Sequence, residues 1–447
     1  MALPITATQF KAPALPLAPG EYTKHYHDQY NSILRIYFNQ IDRLLREVVS
    51  NQEPYGVYSA GSAADAFGRS RVSQPFTLFD SQNRYADSGD FDTELTTGGT
   101  ATYSANSSSV DLAVTTDSGS QVVRETYRVF PYQPGKSLEF LCTFVMNEAK
   151  ASLRQRVGYF SSQNGIYLEQ DGTSIYFVRR SYVTGSVVNT RVAQADWTVD
   201  PMDGNGPSGV VLDLSKSQIF WCDIEWLGAG SVRCGFIIGG ALYICQVFNN
   251  ANENNNVYMT TATLPVRYEI TNTAATASIS SMKQICSTVM SEGGYEKKVQ
   301  LSVARMTSTA SVGTSFVPLV SIRLASDRLD AVVLPANYTL LPTTLGDYEV
   351  ALLKNATLTG ASYNTTAFPN TEYDITATAL TGGTFIKTVY LSATNQSAPV
   401  LDAETGYNFD LQLGRTLAGV SDVITLAVRK LTTTGSAIGA IEFYDLT

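Results

Sequence analysis

The sequence predicts a mainly β protein: an N-terminal extended arm, one long amphipathic helix, then two antiparallel β-sandwich domains of jelly-roll type. Three observations carry that expectation. Tyr30, Leu34, Tyr37, Ile41, Leu44 and Val48 alternate at spacings of four and three, the a/d seam of a coiled coil from about Lys24 to Ser50. From Pro54 the apolar period falls to two, in nearly a dozen short runs separated by turn residues. A Ser/Thr-rich connector, Met306 to Thr314, interrupts that pattern before it resumes towards Thr447. The implied divisions are 1–22 arm, 23–50 helix, 51–305 large sandwich and 306–447 C-terminal sandwich.

The arm holds Pro4, Pro13, Pro16 and Pro19, with Leu3, Ile5, Phe10, Leu15 and Leu17 as apolar anchors. Each proline fixes its own φ and pushes its predecessor to extended geometry. Such a segment either lies along a neighbouring subunit or stays a free terminus.

In the helix, His27, Leu34, Ile41 and Val48 take the a positions, and Tyr30, Tyr37 and Leu44 the d positions. Ile33, Phe38 and Leu45 widen the apolar face beyond the seam of a two-stranded coil. The expected oligomerisation residues are Tyr30, Leu34, Tyr37, Phe38, Ile41, Leu44, Leu45 and Val48, with a homotrimer favoured. Packing of this face onto the chain's own β-body is the alternative.

Strand patterns in the large sandwich begin with Val72, Phe76, Leu78 and Phe79. They continue in Val122–Val129, Leu138–Val145, Gly165–Leu168, Ile175–Val178 and Val187–Val192. Further runs are Val210–Leu214, Ile219–Trp226, Val232–Ile238, Leu242–Val247, Val266–Thr271 and Val299–Val303. Asp171-Gly172, Asp203-Gly204-Asn205-Gly206 and Gly239-Gly240 supply the turns. Ser281–Ser291 fits a short helix or a crossing strand. In the C-terminal part the runs are Leu319–Leu324, Ala331–Leu334, Tyr348–Leu353, Ile386–Leu391, Tyr407–Leu411, Val423–Val428 and Ile441–Tyr444. Many short strands with few helical windows indicate sandwiches.

Composition narrows the function classes. Charged residues are 16% of 447, below the roughly 25% typical of soluble domains, and hydroxyl and amide side chains replace them. A net charge of −9 without a basic run argues against nucleic-acid binding. Cys142, Cys222, Cys234, Cys245 and Cys286 lack metal or CxxC spacing and read as buried thiols made in a reducing compartment. Neither a cleaved signal nor a membrane span is expected.

Both histidines, His25 and His27, belong to the helix, so a histidine-dependent triad in the β-body is excluded. Threefold symmetry would gather three copies of His27, either as a polar layer or around a metal. Without histidine, the chemistry left is that of paired carboxylates. Asp223 and Glu225 share one strand face, and Asp200, Asp203 and Asn205 form a loop with calcium-type oxygens. Gly204 to Gly209 lacks the lysine and helix of a phosphate loop. Tyrosine is abundant at 25, and Trp197, Trp221 and Trp226 cluster. Such rings fill cores and interfaces more often than they stack on sugars. No catalytic residue, cofactor or metal is assigned.

Two sets of phrases resemble a virion structural protein family of marine and cyanobacterial tailed phages. The first is Gly68-Arg-Ser-Arg-Val-Ser-Gln-Pro-Phe-Thr-Leu-Phe-Asp-Ser-Gln-Asn-Arg-Tyr85. The second joins Gly206-Pro-Ser-Gly209, Phe220-Trp-Cys-Asp-Ile-Glu-Trp-Leu-Gly228, Val232-Arg-Cys-Gly-Phe236, Leu264-Pro-Val-Arg-Tyr-Glu-Ile270 and Lys283 to Tyr295. They frame residues 68–295, about half of the chain; the C-terminal part has no counterpart. The resemblance implies a phage particle component without assigned catalytic residues, made in the host cytoplasm and located in the virion.

The function expected is a homotrimeric tail fibre or spike component, anchored by arm and helix, with its β-domains outward. Its partners would be other virion proteins and a host-surface glycan. A capsid decoration or head fibre protein is the first alternative. A tailspike-like glycan depolymerase using Asp or Glu, or a non-catalytic carbohydrate-binding module, is the second. In the resembling phrases, Arg69, Arg71 and Arg84 stand near Asp80 as ion-pair candidates, and Glu269 near Arg267.

Overall fold

The computed structural model describes residues 24–51, 74–296, 301–394, 401–404 and 409–446; the side chains of residue 40, residues 42–51 and residues 401–404 fall outside the description. The chain is mainly β, with one long helix and antiparallel sheets stacked as sandwiches. The arm, with Arg69, Arg71 and Val72, lies outside the described residues.

The helix, α1, spans Lys24–Asn51. No helix residue whose side chain is described is buried, and Tyr26, Tyr30, Ile33, Leu34, Tyr37 and Ile41 are half-buried. Their spacing of three and four puts them on one stripe. The rings of Tyr26 and Tyr30 stack at 6.1 Å along it. Phe38 is 61% exposed. Leu44, Leu45 and Val48 belong to the helix but their side chains are outside the description.

Sheet I runs Ala241–Phe248, Val232–Ile238, Gln218–Ile224, Leu138–Val145, Ser280–Ser291, Ser109–Val114 and Thr100–Ser104, with Phe76–Gln82 also on Ser280–Ser291. Sheet II runs Val188–Ala193, Ser174–Ser181, Gly165–Asp171, Leu153–Phe160, Val266–Asn272, Gln121–Thr126 and Phe91–Thr96. Their inner faces share one core, where Phe177 stacks on Trp197 at 4.3 Å and lies 5.7 Å from Phe220 and 5.9 Å from Phe236. Each such ring contributes roughly 1.5–3 kcal/mol by leaving water. Tyr159 brings a hydroxyl into this core without leaving it unsatisfied. The hydroxyl lies 2.9 Å from the carbonyls of both Phe130 and Ala262, which share its one proton, and it accepts the Leu264 N–H at 3.1 Å.

Sheet III runs Leu301–Arg305, Gly435–Asp445, Val333–Pro342 and Leu401–Glu404, with Ala310–Val312 also on Gly435–Asp445. Sheet IV runs Asn364–Thr365, Thr371–Asp374, Val317–Leu324, Val423–Lys430, Gly346–Lys354 and Thr384–Ala393. A separate core, with Tyr338, Tyr348 and Phe443 fully buried, fills the space between them. Thr357–Thr359 and Ala379–Thr381 form a small additional ribbon.

The structure corrects several expectations. Ser281–Ser291 is a strand of twelve residues, Ser280–Ser291, bonded to three others. Val210–Leu214 is a loop with one bridge, Val211 to Asp203, because its backbone groups bond to nearby loop atoms: the Val210 N–H to the Ser208 hydroxyl, the Leu212 N–H to the Met202 carbonyl and the Gly204 N–H to the Val210 carbonyl. Phe409–Leu411 is a single 3-10 turn; Phe409 is drawn down by the rings of Phe76 and Tyr295 at 6.0 and 5.0 Å. Leu301–Arg305, which precedes the Ser/Thr-rich connector, pairs with Gly435–Asp445. The change from the first pair of sheets to the second therefore falls before it.

Candidate functional site

The carboxylates singled out by sequence lie in structural roles. Asp223 is fully buried in Gln218–Ile224, and its Oδ2 is 2.5 Å from Nη2 of Arg233 on the neighbouring strand. That guanidinium lies 5.5 Å over the Trp221 ring, and Trp221 Nε1 donates to Glu139. Glu225 is buried as well. Neither carboxylate faces solvent, so the pair is not presented to a polysaccharide.

Asp200 is equally buried and serves as a loop staple. Its Oδ1 accepts the Met202 N–H at 2.9 Å and its Oδ2 the Ser208 N–H at 3.0 Å. A Cβ on Gly206 would come 2.2 Å from Asp200 Oδ1, so this turn needs glycine. Asp203 accepts the Asn205 N–H at 2.9 Å, a bond that holds its carboxyl below the usual range. Among the described residues no three His, Cys, Asp or Glu side chains gather as a metal site. His25 and His27 are exposed at the start of α1.

The tryptophans are core groups. Trp197 and Trp221 are 5% and 2% exposed; the partly buried Trp226 donates to the Met259 carbonyl at 3.0 Å. All five thiols are free, four of them buried, and Cys222 and Cys234 face each other across two strands at 3.9 Å. Burial pushes the Cys142, Cys222 and Cys245 thiols up, away from reactivity.

What the fold does assemble is a ladder of charge on the outer face of sheet II. Arg267 reaches Glu125 at 2.7 Å and Glu269 at 3.4 Å. Arg156 bridges Glu269 at 3.2 Å and Glu169 at 2.6 Å, and Arg191 joins Glu169 and Asp171 at 2.5 and 2.8 Å. Burial would raise the Glu269 carboxyl, but Arg267, Arg156, Arg154 and Arg180 together hold it below its ordinary value. Sequence reasoning paired Glu269 with Arg267 alone. The other ion-pair partners, Arg156 and Arg154, come from Leu153–Phe160, with Arg156 113 residues away, so only the sheet order reveals them. Arg84, paired in the sequence reading with Asp80, stacks 4.7 Å over Tyr85.

The ladder ends in a polar cleft of about 450 Å³ between the two sandwiches. Ser161, Ser162 and Gln163 lie on one side, and Ser326, Asp327 and Asp330 on the other. Arg415 crosses it, reaching Glu125 at 2.5 Å and Asp330 at 3.2 Å. Backbone bonds fix the same crossing: Arg415 N–H to the Tyr127 carbonyl at 2.8 Å and Leu417 N–H to Asp92 Oδ2 at 2.7 Å. Gln412 adds a bond to the Val129 carbonyl at 2.8 Å. Glu125 thus has both oxygens engaged by arginine, which suits a latch between sandwiches.

No protein-family model matches the chain, and no curated protein matches it. Solved structures resemble parts of it at low similarity. A carbohydrate-binding module of an evolved Dit protein from Lactobacillus casei BL23 phage J-1 is 8% identical over 50% of this chain and 100% of that one, with a TM-score of 0.34. A protein of unknown function from Shewanella oneidensis MR-1 is 11% identical over 55% and 99%, with a TM-score of 0.33. A carbohydrate esterase from the Shiga toxin-encoding bacteriophage phi24B is 10% identical over 48% and 99%, with a TM-score of 0.28. Likenesses this distant carry no argument about function.

Proposed function

We propose that the chain is a non-catalytic structural component of a tailed-phage particle, self-associating through α1 and presenting its two sandwiches outward. The observation that carries this reading is the contrast between α1 and the β-body. Tyr30, Ile33, Leu34 and Ile41 stay only half-buried on one helical stripe, whereas the chemically notable carboxylates of the β-body are committed to ion pairs or backbone bonds. Burying Leu34 and Ile41 against other copies contributes roughly 1.5–3 kcal/mol for each side chain. The width of the stripe, with Ile33 beside the seam, favours three copies over two. The phage assignment draws on the resembling phrases within 68–295, with a tail fibre or spike ahead of a head decoration.

Light scattering on the purified chain tests the assembly. The expected mass is three times the 48.4 kDa of one chain, and Leu34→Asp with Ile41→Asp should give a monomer with unchanged strand content by circular dichroism. A monomeric wild type, or a double variant of unchanged mass, defeats the coiled-coil reading. Labelling of particles with an antibody to the chain, viewed by electron microscopy, separates tail from head. No described helix is long and apolar enough to cross a membrane.

A further inference from the structure

We propose that the outer face of sheet IV, at its Thr384–Ala393 edge, is a binding platform for a neutral polysaccharide. Phe385 and Tyr390 are its stacking rings, and Arg429, oriented by the buried Glu349, is its hydrogen-bonding group. This goes beyond the structural role above and does not depend on α1.

Phe385 and Tyr390 are 53% and 65% exposed, although the sheets otherwise bury most of their rings. They stand on one edge strand, and Thr388, also exposed, lies between them. Tyr390 pairs with Glu349 and Phe385 with Leu353, so both rings point away from the core. Four ladder steps separate them, about 13 Å at strand spacing, a distance spanned by a short run of sugar rings.

Both rings are fixed before any ligand arrives. The Tyr390 hydroxyl donates to Glu349 Oε1 at 3.0 Å. Glu349 Oε2 takes Nε and Nη2 of Arg429 at 2.6 and 2.5 Å. That guanidinium lies 5.0 Å over Phe316, which meets Phe385 edge to face at 5.6 Å. Ala351 and Ala427, both fully buried, let Phe316 lie close to the sheet. Rings held by such a chain lose little entropy on binding.

The chemistry selects the occupant. Aromatic faces take the C–H faces of sugars, while the exposed part of Arg429 donates to hydroxyls and the Tyr390 hydroxyl accepts from them. Because the charges of Glu349 and Arg429 neutralise each other, the pair gives no preference for an ionic ligand, and Asp347 at the end of the same face disfavours an anionic one. A second protein strand fits poorly. The register shift between Leu352 and Leu353, opposite Phe385 and Lys387, is a bulge that breaks the edge a partner strand would need.

The test is binding of the full chain to an array of bacterial surface polysaccharides, followed by titration of the best neutral binder. Phe385→Ala and Tyr390→Ala should each weaken binding about tenfold. Tyr390→Phe, which keeps the ring, should stay within about threefold. Tyr85→Ala removes an exposed ring, 81% exposed, on the other sandwich and should change nothing. All variants should keep the wild-type circular dichroism and mass. The platform is overturned if no polysaccharide binds, if only charged ones do, or if Phe385→Ala and Tyr390→Ala leave binding intact. A fall in particle mass in those two variants would make the patch an interface between copies and overturn it too.

Discussion

The outer faces of sheets II and IV are built from the same three ingredients, arginine, glutamate and aromatic rings, and reach opposite results. On sheet II, Phe160 and Tyr167 are fully buried under guanidiniums. Arg180 lies 5.6 and 5.1 Å over them, Arg267 lies 5.6 Å over Phe160, and Arg156 lies 5.5 Å over Tyr167. On sheet IV one guanidinium, Arg429, covers Phe316, and the rings of Phe385 and Tyr390 stay open. The difference lies in how many arginines cross-strand pairing delivers to each ring. Three roofs for two rings close a surface; one roof for three leaves a surface that can meet a ligand.

The comparison breaks first at its carboxylates. Glu269→Ala removes a buried carboxylate shared by Arg154, Arg156 and Arg267; Glu169 and Glu125 still compensate the last two, so a loss of about 2–3 kcal/mol is expected. Glu349→Ala leaves Arg429, 40% exposed, able to recover hydration, so about 1–2 kcal/mol is expected there. Urea unfolding of both variants measures the ratio, and equal losses would erase the distinction between a closed and an open face.

Acid sharpens the same point. The Glu269 carboxyl is held below its ordinary 4.5 in the folded chain, because the arginines outweigh burial. The unfolded chain therefore takes up that proton first as pH falls. The associated stability is present above about pH 4.5 and is lost as pH drops through the lower folded value. Glu269→Gln should flatten the acid limb of a melting-temperature profile between pH 2 and 6, even if it lowers stability at pH 7.

Arg415 probes whether the closed face of sheet II is tied to the second sandwich. It is 12% exposed and paired to Glu125 at 2.5 Å; Arg267 would still compensate Glu125 after Arg415→Ala. A cost of about 1–3 kcal/mol is expected. More telling is the shape of the transition. Loss of this latch should split one calorimetric peak towards two, since each sandwich has a main core of its own and the two are joined through only a few residues, Val332, Leu334, Phe409 and Leu446.

How much of this was legible in sequence follows from what period-2 patterns report. Leu138–Val145 alternates buried and half-buried positions, and its strand assignment holds to the residue. Phe91–Thr96 and Thr100–Ser104 escape the sequence reading because edge strands with one wet face carry too few apolar residues to mark a period. Ser109–Val114, an inner strand with Val110, Leu112 and Val114 buried, escapes it because its apolar run is only three residues deep. Leu153–Phe160 was hidden by Arg154 and Arg156, which look like a surface run until Glu169 and Glu269 come alongside. The candidate sites fared worse for the same reason. Asp223 lies in Gln218–Ile224 but Glu225 falls just past its end, and only the fold shows that Arg233 and the core enclose Asp223. Tyr390 falls in the run Ile386–Leu391 and Phe385 just before it, and only the sheet order shows that this strand is an edge.

The smallest expected effect is the most discriminating. Phe160→Ala removes a fully buried ring from beneath Arg180 and Arg267 and should cost about 3–5 kcal/mol. Phe385→Ser removes a ring of the same size from the open face and should change stability by no more than about 0.5 kcal/mol. Phe385 touches Phe316 edge to face, yet over half of it already lies in water in the folded chain, so unfolding exposes little more. Urea midpoints of the two variants measured side by side decide the matter. If Phe385→Ser costs more than about 1 kcal/mol, the ring serves folding, and the open face of sheet IV is a thinner version of the closed face of sheet II. If it costs nothing, the exposure of that ring has no folding role to explain it.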